Sequence, residues 1–384
     1  MALAYTLNLL DNQRKKLREE LLEEYISRGE EPFDYERQLF VERPGFLEKV
    51  LNQEVMPPWH FEVLPTERCN NNCIWCRGGH RDFMASEKDL SEEVMFRLMG
   101  ELADYGVDGI IRFSGMSGEP LMNPGALPAI KEGIRRGLNV GLISNGILLD
   151  ERAHDYLSGA VYVNTSLDAS NSETFNELKG HRGDVFDMIV DNVRKLALFK
   201  NSGDYRFRVG VGYLVHPKNY NGIVEAAKLI GSTGADILQF KLPLGQSMFN
   251  GQDTKKIEEL LLRAQEYSRG GFKVEVMQSE TERRAELGGT MAKPNFPKCY
   301  SQFLNGVVGA DGIVYPCVHY YYQKGISGAP FGSLYEQSLR EIWEGEVRKR
   351  IMRRIVPRED CALCNRYDHR MNRFINFIDS NGVK

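Results

Sequence analysis

Long apolar runs and a surplus of basic residues are both missing from this 384-residue sequence. No segment approaches the roughly 18 uninterrupted apolar residues of a membrane-spanning helix. The opening run MALAYTLNLL carries no basic leader before Asp11. The formal net charge of −4 argues against a general nucleic-acid-binding protein, which needs a basic surface. These absences predict a cytoplasmic protein that acts neither on nucleic acid nor at a membrane.

Internal repeats and low-complexity linkers are absent as well, and the composition is that of a globular protein. We divide the chain into a helical N-terminal extension (residues 1–57), an α/β segment (58–245) and a C-terminal segment (246–384). Apolar residues at helical spacing in the extension predict an amphipathic helix that packs on the main body or caps the active site. These residues are Leu10, Leu17, Leu21 and Tyr25.

Short strands alternate with helices throughout the α/β segment, which indicates βαβ units and a parallel sheet. Six units are too few to close an eight-stranded barrel, so we predict an α/β fold, an open partial (β/α)6 barrel. The predicted strands are Phe61–Thr66, Gly109–Ser114, Asn139–Asn145, Val161–Asp168, Phe207–Val215 and Asp236–Leu244. The predicted helices are Ser91–Tyr105, Gly125–Gly137, Glu151–Leu157, Phe186–Phe199 and Tyr220–Thr233.

Polar residues occupy alternate positions of these strands, although a parallel sheet normally carries apolar residues on both faces. One face of the sheet is therefore expected to line a lumen that holds a polar ligand. The polar positions are Glu62, Thr66, Arg112, Ser114, Asn145, Asn164, Ser166, Asp168, Arg208, Gln239 and Lys241.

Seven cysteines, an odd number, argue against a disulfide framework and for thiolates that act as ligands. Cys69, Cys73 and Cys76 form a CxxxCxxC motif directly after the first predicted strand. Three thiolates can hold three irons of a [4Fe–4S] cluster and leave the fourth iron open for another ligand. A zinc site completed by His80 is the alternative at this motif.

This motif, placed after the first strand of a partial barrel, resembles that of the radical S-adenosylmethionine (SAM) superfamily. The resemblance implies that SAM chelates the open iron and is cleaved to methionine and a 5′-deoxyadenosyl radical. It also implies that Trp75, the aromatic residue before the last cysteine, lies near the adenine of SAM.

Three further segments match the family in order. Ser117-Gly118-Glu119-Pro120 resembles the GGEP segment that binds the SAM amino group, with serine in place of the first glycine. Ser144-Asn145-Gly146 resembles the TNG turn, and Ser166-Leu167-Asp168 resembles the SLD segment, whose serine contacts the SAM carboxylate. A basic residue often joins that serine. The resemblance thus implies cofactor contacts for Trp75, Ser117, Gly118, Glu119, Ser144, Asn145, Ser166 and Asp168, and for Lys179 or Arg182.

A second group of cysteines lies in the C-terminal segment, and its four thiolates could close another cluster or hold zinc. A predicted hairpin over Gly306–Tyr315, with an Asp-Gly turn, precedes Cys317. This arrangement resembles the twitch domain, a short form of the SPASM domain, and implies one auxiliary [4Fe–4S] cluster. The layout resembles that of the radical SAM dehydrogenase of the butirosin antibiotic pathway. The four cysteines are Cys299, Cys317, Cys361 and Cys364.

The two clusters use all seven cysteines, so no thiol remains to return a hydrogen atom to a substrate radical. This favours oxidation of a sugar or aminocyclitol alcohol to a ketone over epimerisation, which stays an alternative together with maturation of a ribosomal peptide. The alcohol needs a base, and the candidates in the lumen or near it include Lys241, Arg208 and Glu62. Further candidates are Gln239, Tyr213 and His319.

A basic run from Arg348 to Arg354 has two interpretations, a solvated helix face or a contact for a phosphorylated substrate or an acidic electron donor. We expect that donor to be a flavodoxin or a ferredoxin. The remaining elements predicted in the C-terminal segment are a helix over Thr254–Arg269, a strand over Phe272–Met277 and a helix over Leu339–Met352.

Overall fold

The protein is described by a computed structural model whose chain separates into two compact units. The larger unit comprises Pro57–Met291 and Asn305–Ile351, and the smaller unit comprises Met1–Met56, Ala292–Leu304 and Met352–Lys384. The described residues are 16, 19–27, 43–76, 88–116, 118–243, 249, 251–278, 283, 287, 294–319, 330–361 and 364–381.

A single sheet of ten strands organises the larger unit, in the order β10-β9-β8-β1-β2-β3-β4-β5-β6-β7. Strands β8 and β1 to β7 run parallel to one another, whereas β9 pairs antiparallel with both β8 and β10. The predicted parallel α/β fold is confirmed. The strands are β1 His60–Val63, β2 Ile110–Phe113, β3 Asn139–Ser144, β4 Tyr162–Ser166, β5 Arg208–Leu214, β6 Ile237–Lys241, β7 Lys273–Val276, β8 Asn305–Val308, β9 Ile313–Tyr315 and β10 Gly332–Ser333.

Alternation along the strands separates the two faces of the sheet as the sequence pattern predicts. In β1 and β2 the apolar residues Phe61, Val63, Ile111 and Phe113 are fully buried, while the residues between them are less so. The buried face is covered by helices, because an apolar face must pack against another layer. The helices of this unit are α3 Glu92–Asp104, α4 Ala126–Arg135, α5 Glu151–Leu157, α6 Ser172–Lys179, α7 Val185–Ser202, α8 Ile223–Gly231, α9 Gly251–Gln265, α11 Leu339–Glu344 and most of α12 Glu346–Arg354.

The predicted hairpin extends this same sheet. Strands β8 and β9 form it around a turn in which Gly312 has a φ of +73°, a conformation that glycine adopts without strain. Residues His60–Val63 of β1 register with Asn305–Val308 of β8, so chain segments more than 240 residues apart lie side by side. The larger unit therefore crosses the predicted boundary at residue 246.

The smaller unit contains the helical part of the N-terminal extension and the C-terminal helix. Leu21 and Tyr25, two of the residues predicted to pack, are buried, and the Tyr25 ring lies 5.2 Å from that of Phe374. Leu10 and Leu17 lie outside the described residues. The helices of this unit are α1 (19–27), α2 Pro44–Leu51, α10 Ser301–Leu304, α13 Pro357–Asp360 and α14 Arg366–Ser380.

Two helices differ from the prediction. The helix expected over Leu339–Met352 is divided at Gly345, which adopts an extended conformation with φ −70° and ψ 155°. Helix α6 was not predicted; it begins after Asn171, whose side chain accepts from the Thr174 N–H at 2.9 Å, and ends at the left-handed Gly180. No helix in the described part of the chain is both long and apolar enough to cross a bilayer.

Candidate iron–sulfur and SAM site

The loop that carries the CxxxCxxC motif follows β1 and is held by the last turn of α6. The backbone N–H groups of Asn72 and Ile74 donate to the carbonyls of Lys179 and Leu178, at 2.8 and 3.0 Å. These two carbonyls belong to the helix end, where such groups lack partners within the helix. The carbonyl groups at the end of α6 therefore gain hydrogen-bond partners, and the same hydrogen bonds hold the cysteine loop in place.

The three thiols of this loop are partly buried and interact electrostatically. Burial raises the pKa of Cys69 to about 11, although the Asn71 N–H donates to its sulfur at 3.4 Å; the negative charges of Glu119, Cys73 and Cys76 raise the pKa further. Burial also raises the pKa of Cys73, against the opposing effect of Lys179. Three thiols on one loop, with N–H donors directed at sulfur, fit the ligand set of a [4Fe–4S] cluster with one open iron. Among the described residues, no three His, Cys, Asp or Glu side chains form a preformed site for a single metal ion.

The segment after β2 lies against this loop through backbone contacts that only glycine permits. A Cβ atom on Gly118 would lie 1.9 Å from the carbonyl oxygen of Thr66. The next residue, Glu119, donates its N–H to the Arg68 carbonyl at 2.8 Å. The predicted GGEP-like segment is thus clamped to the start of the cysteine loop. Ser117, predicted to join it, lies outside the described residues.

The substitution Gly118→Ala is expected to destabilise the protein by about 1–3 kcal/mol, because the added methyl group meets backbone that cannot move aside. Thermal unfolding of the cluster-free chain measures this. Gly45→Ala is the matched control, because its Cβ would meet no atom within 4 Å, and it should leave the melting temperature unchanged or slightly higher. Equal stability of the two variants would contradict the contact.

Glu119 connects the ends of β2 and β3. Its carboxylate accepts from the Ser144 hydroxyl at 2.7 Å, the Asn145 N–H at 2.7 Å and the Leu121 N–H at 3.2 Å. Burial raises the pKa of Glu119 to about 7, against the effect of these three donors. Asn145 in turn donates to the Asn70 side chain at 2.6 Å, within the cysteine loop. The GGEP-like and TNG-like segments therefore form one hydrogen-bonded structure with the cluster loop.

A buried ion pair lies at the end of β4. Asp168 has a φ of +60°, and its carboxylate pairs with Lys179, with side chains only 8% and 3% exposed. Burial alone would lower the pKa of Lys179, but the charges of Asp168 and Cys73 raise it. The same carboxylate accepts from the Leu214 N–H at 2.6 Å. Of the two basic residues predicted for this site, Lys179 is in it, whereas Arg182 is exposed.

Trp75 lies between this ion pair and a histidine that sequence reasoning missed. The Lys179 ammonium is 5.2 Å from the centre of the Trp75 ring, and the ring of His216 is 5.2 Å away on the same indole. Asn219 fixes this arrangement, since it accepts from the His216 N–H at 2.7 Å and donates to the Asp168 carbonyl at 2.8 Å. His216 is the second residue after β5, so its position just beyond the strand end was the signal that could have identified it.

Two of the three predicted base candidates, Lys241 and Arg208, lie far apart. Lys241 ends β6 and registers with Leu214, six residues beyond Arg208 on β5, which separates the two positions by roughly 20 Å along the strands. Arg208 is exposed, and Glu62 accepts from the Ser114 hydroxyl at 2.5 Å. Ser166, predicted to contact SAM, registers with Gly212 on the same face as Lys241. Lys241 is thus at the carboxyl end of its strand, whereas Arg208 is at the start of β5.

The four remaining cysteines are divided between the two units. Cys317 follows β9 in the larger unit, while Cys299, Cys361 and Cys364 belong to the smaller one. Burial raises the pKa of Cys299, and Cys364 directly precedes Asn365, the N-cap residue of α14. The positive end of a helix favours thiolate at such a position. The assignment of these four cysteines to a second iron–sulfur cluster stays a prediction.

Comparison with known proteins agrees with this chemistry. Residues 63–230 match the model of the radical SAM superfamily, and residues 299–365 match that of the SPASM iron–sulfur cluster-binding domain. The chain is 22% identical over 300 residues to the tungsten-containing aldehyde ferredoxin oxidoreductase cofactor-modifying protein of Pyrococcus furiosus, covering 73% of this chain and 79% of that protein. It is 25% identical over 313 residues to the PqqA peptide cyclase of Granulibacter bethesdensis, covering 76% and 75%.

A solved structure shares the fold. Streptococcus suis SuiB bound to S-adenosylmethionine superposes with a TM-score of 0.60 at 13% identity, covering 86% of this chain and 76% of SuiB. SuiB has also been solved bound to the precursor peptide SuiA.

Proposed function

We propose, for a chain that carries a radical SAM domain followed by a SPASM domain, that it oxidises an alcohol of a sugar or aminocyclitol to a ketone. These domains bind SAM and [4Fe–4S] clusters. When bound, these groups supply a 5′-deoxyadenosyl radical that takes one hydrogen atom from the carbinol carbon and a second cluster that takes the remaining electron. The hydroxyl proton completes the balance and leaves to a protein base.

The cysteine count is the observation that carries this proposal. The chain has seven cysteines, of which three match the CxxxCxxC motif and four lie in or beside the SPASM match. An enzyme that inverts a carbon centre has to return a hydrogen atom to the substrate radical, and a thiol is the usual donor. Because none is left over, we propose that the radical is oxidised.

The lumen face supports a polar substrate. A Cβ atom at Gly212 would make ordinary van der Waals contacts there, at 3.6 Å from the Asn164 side-chain nitrogen and 3.8 Å from the Lys241 Nζ atom. Gln239 registers with Gly212 and lies on the same face. Amide and amine groups around a glycine suit a hydroxyl-rich ligand more than an apolar one.

We propose Lys241 as the group that accepts the hydroxyl proton, because it lies at the cofactor end of the lumen. Its Nζ atom accepts this proton as the neutral amine and becomes the ammonium. Asp168, His216 and Lys179 are positioning residues for the SAM end. They fix the indole of Trp75 and the strand ends around it, so that SAM meets a preformed surface.

The experiment is an anaerobic assay with SAM, a strong reductant and a panel of aminocyclitols and aminoglycosides, analysed by mass spectrometry. One ketone, lighter than the alcohol by two hydrogen atoms, should form for each 5′-deoxyadenosine. Deuterium at the oxidised carbon should move to 5′-deoxyadenosine. A product of unchanged mass that carries solvent deuterium would instead identify an epimerase.

Peptide maturation is the second candidate, favoured by the relatives. The PqqA peptide cyclase aligns over most of the chain, and SuiB binds a precursor peptide. The substrate that each enzyme accepts distinguishes these two candidate functions. A maturase should consume SAM productively only with a peptide and leave every alcohol of the panel unchanged.

A further inference from the structure

The sulfur of Cys299 is surrounded by hydrogen-bond donors of the smaller unit. The Ser301 hydroxyl lies 3.4 Å from this sulfur, the Asn372 side-chain nitrogen lies 3.6 Å away, and the Gln302 backbone N–H also donates to it. Asn372 donates to the Ser301 oxygen at 3.0 Å, which leaves the hydroxyl hydrogen free to point at sulfur. A metal-bound thiolate can only accept, so each of these groups acts as a donor toward a ligated Cys299.

Asn372 is completely buried, and both the oxygen and the nitrogen of its side-chain amide form hydrogen bonds around Cys299. Its carbonyl oxygen accepts from the N–H groups of Tyr300 and Ser301, at 2.5 and 2.9 Å, while its nitrogen serves Ser301 and Cys299. A buried amide costs free energy unless every polar atom is paired, and here each is. One turn later, Asn376 donates to the Lys298 carbonyl at 2.9 Å and holds the other side of the same segment without reaching the sulfur.

We propose that Ser301 and Asn372 raise the reduction potential of the auxiliary cluster by donating hydrogen bonds to the Cys299 sulfur. Reduction places one more negative charge on the cluster, and donors directed at a ligand sulfur stabilise that charge. This inference rests on the part of the proposed function that makes Cys299 a cluster ligand. It goes beyond it by naming the residues that make the cluster a better electron acceptor.

A nearby carboxylate makes these donors more important. Asp368, whose side chain is buried, is close enough to Cys299 to act electrostatically on its sulfur, which Ser301 and Asn372 contact at 3.4 and 3.6 Å. A buried negative charge disfavours the reduced cluster by the same Coulombic effect. The donors therefore offset the effect of Asp368 on the reduction potential. When they are removed, only the effect of the carboxylate, which lowers the potential, remains.

The test is a redox titration of the reconstituted holoenzyme, followed by electron paramagnetic resonance, with no substrate present. SAM is added in a parallel series, because it shifts the spectrum of the cluster with the open iron and so separates the two signals. Ser301→Ala should lower the equilibrium constant for auxiliary-cluster reduction about tenfold, which is about 59 mV for one electron. Ser301→Thr retains the hydroxyl and should restore the wild-type value.

Two variants of α14 complete the design. Asn372→Asp keeps the oxygen that accepts from Tyr300 and Ser301 but removes the donors and adds a charge, so its potential should fall further than that of Ser301→Ala. Asn376→Ala loses a comparable backbone contact that does not involve sulfur, and its potential should stay at the wild-type value.

Unchanged potentials in Ser301→Ala and Asn372→Asp, at wild-type iron content, would overturn the inference. An equal shift in Asn376→Ala would also overturn it, because the effect would then come from general disturbance of the segment. If Asn372→Asp fails to take up iron, the reduction potential of Ser301→Ala alone tests the inference. Absence of ketone in the activity assay leaves this result intact. Wild-type protein with only about four irons would instead remove its premise.

Discussion

Replacing Cys69, Cys73 and Cys76 together by alanine is expected to reduce SAM cleavage to the level of a protein-free control. Iron content should fall from about eight to about four per chain, because one [4Fe–4S] cluster is lost and the other keeps its four ligands. The loss should be complete because the open iron is the atom that SAM would chelate. Iron, sulfide and 5′-deoxyadenosine measurements after anaerobic reconstitution check this.

The matched control removes the other cluster. In Cys361→Ala/Cys364→Ala, iron should again fall to about four, but SAM cleavage under a strong reductant should persist while ketone formation stops. The contrast separates a cluster that cleaves SAM from one that takes an electron. SAM cleavage in the triple variant, or stoichiometric zinc without sulfide in the wild-type chain, would rule out this assignment of thiolates.

Asp168→Asn is expected to lower the free energy of unfolding by about 3–5 kcal/mol, the usual cost of leaving one partner of a buried ion pair without the other. Asparagine also tolerates the left-handed conformation of residue 168 and can still accept from the Leu214 N–H, so the change isolates the charge. Denaturant unfolding of the cluster-free protein measures the difference.

The exposed pair Lys218–Glu177 provides the control. Its side chains are 47% and 53% exposed, so Lys218→Met should cost about 0–1 kcal/mol. The double variant Asp168→Asn/Lys179→Met should recover part of the loss, since no charge then stays buried without a partner. A loss in Asp168→Asn no larger than that in Lys218→Met would show that Lys179 is solvated or otherwise neutralised.

The strands could be predicted because their signal is local. Each of the six predicted strands of the barrel overlaps an observed one, since alternation and the following helix both reside within about 30 residues. The pairing of β8 with β1 carries no such signal, because it joins segments far apart in sequence through backbone hydrogen bonds. Helix α6 escaped prediction for a related reason. It has only eight residues, and its importance lies in carbonyls that hold another loop.

In the site as well, the sequence identified residues but not the contacts between them. The motifs identified Glu119, Asn145 and Asp168, but their spacing could not show that Glu119 bonds to Ser144 and Asn145, or that Asp168 pairs with Lys179. Motif spacing favoured Lys179 only slightly over Arg182. Burial distinguishes them, because Lys179 in the last turn of α6 is buried whereas Arg182 is exposed. The cofactor roles predicted from the motifs stay predictions.

The support that α6 gives to the cysteine loop has a consequence for biogenesis. The loop is synthesised more than 100 residues before Leu178 and Lys179, whose carbonyls hold it. While the chain emerges from the ribosome, the three thiols therefore lack their native backbone frame until that helix has been translated. We expect iron to be delivered to a largely completed polypeptide, and a nascent chain truncated before residue 178 to retain little of it.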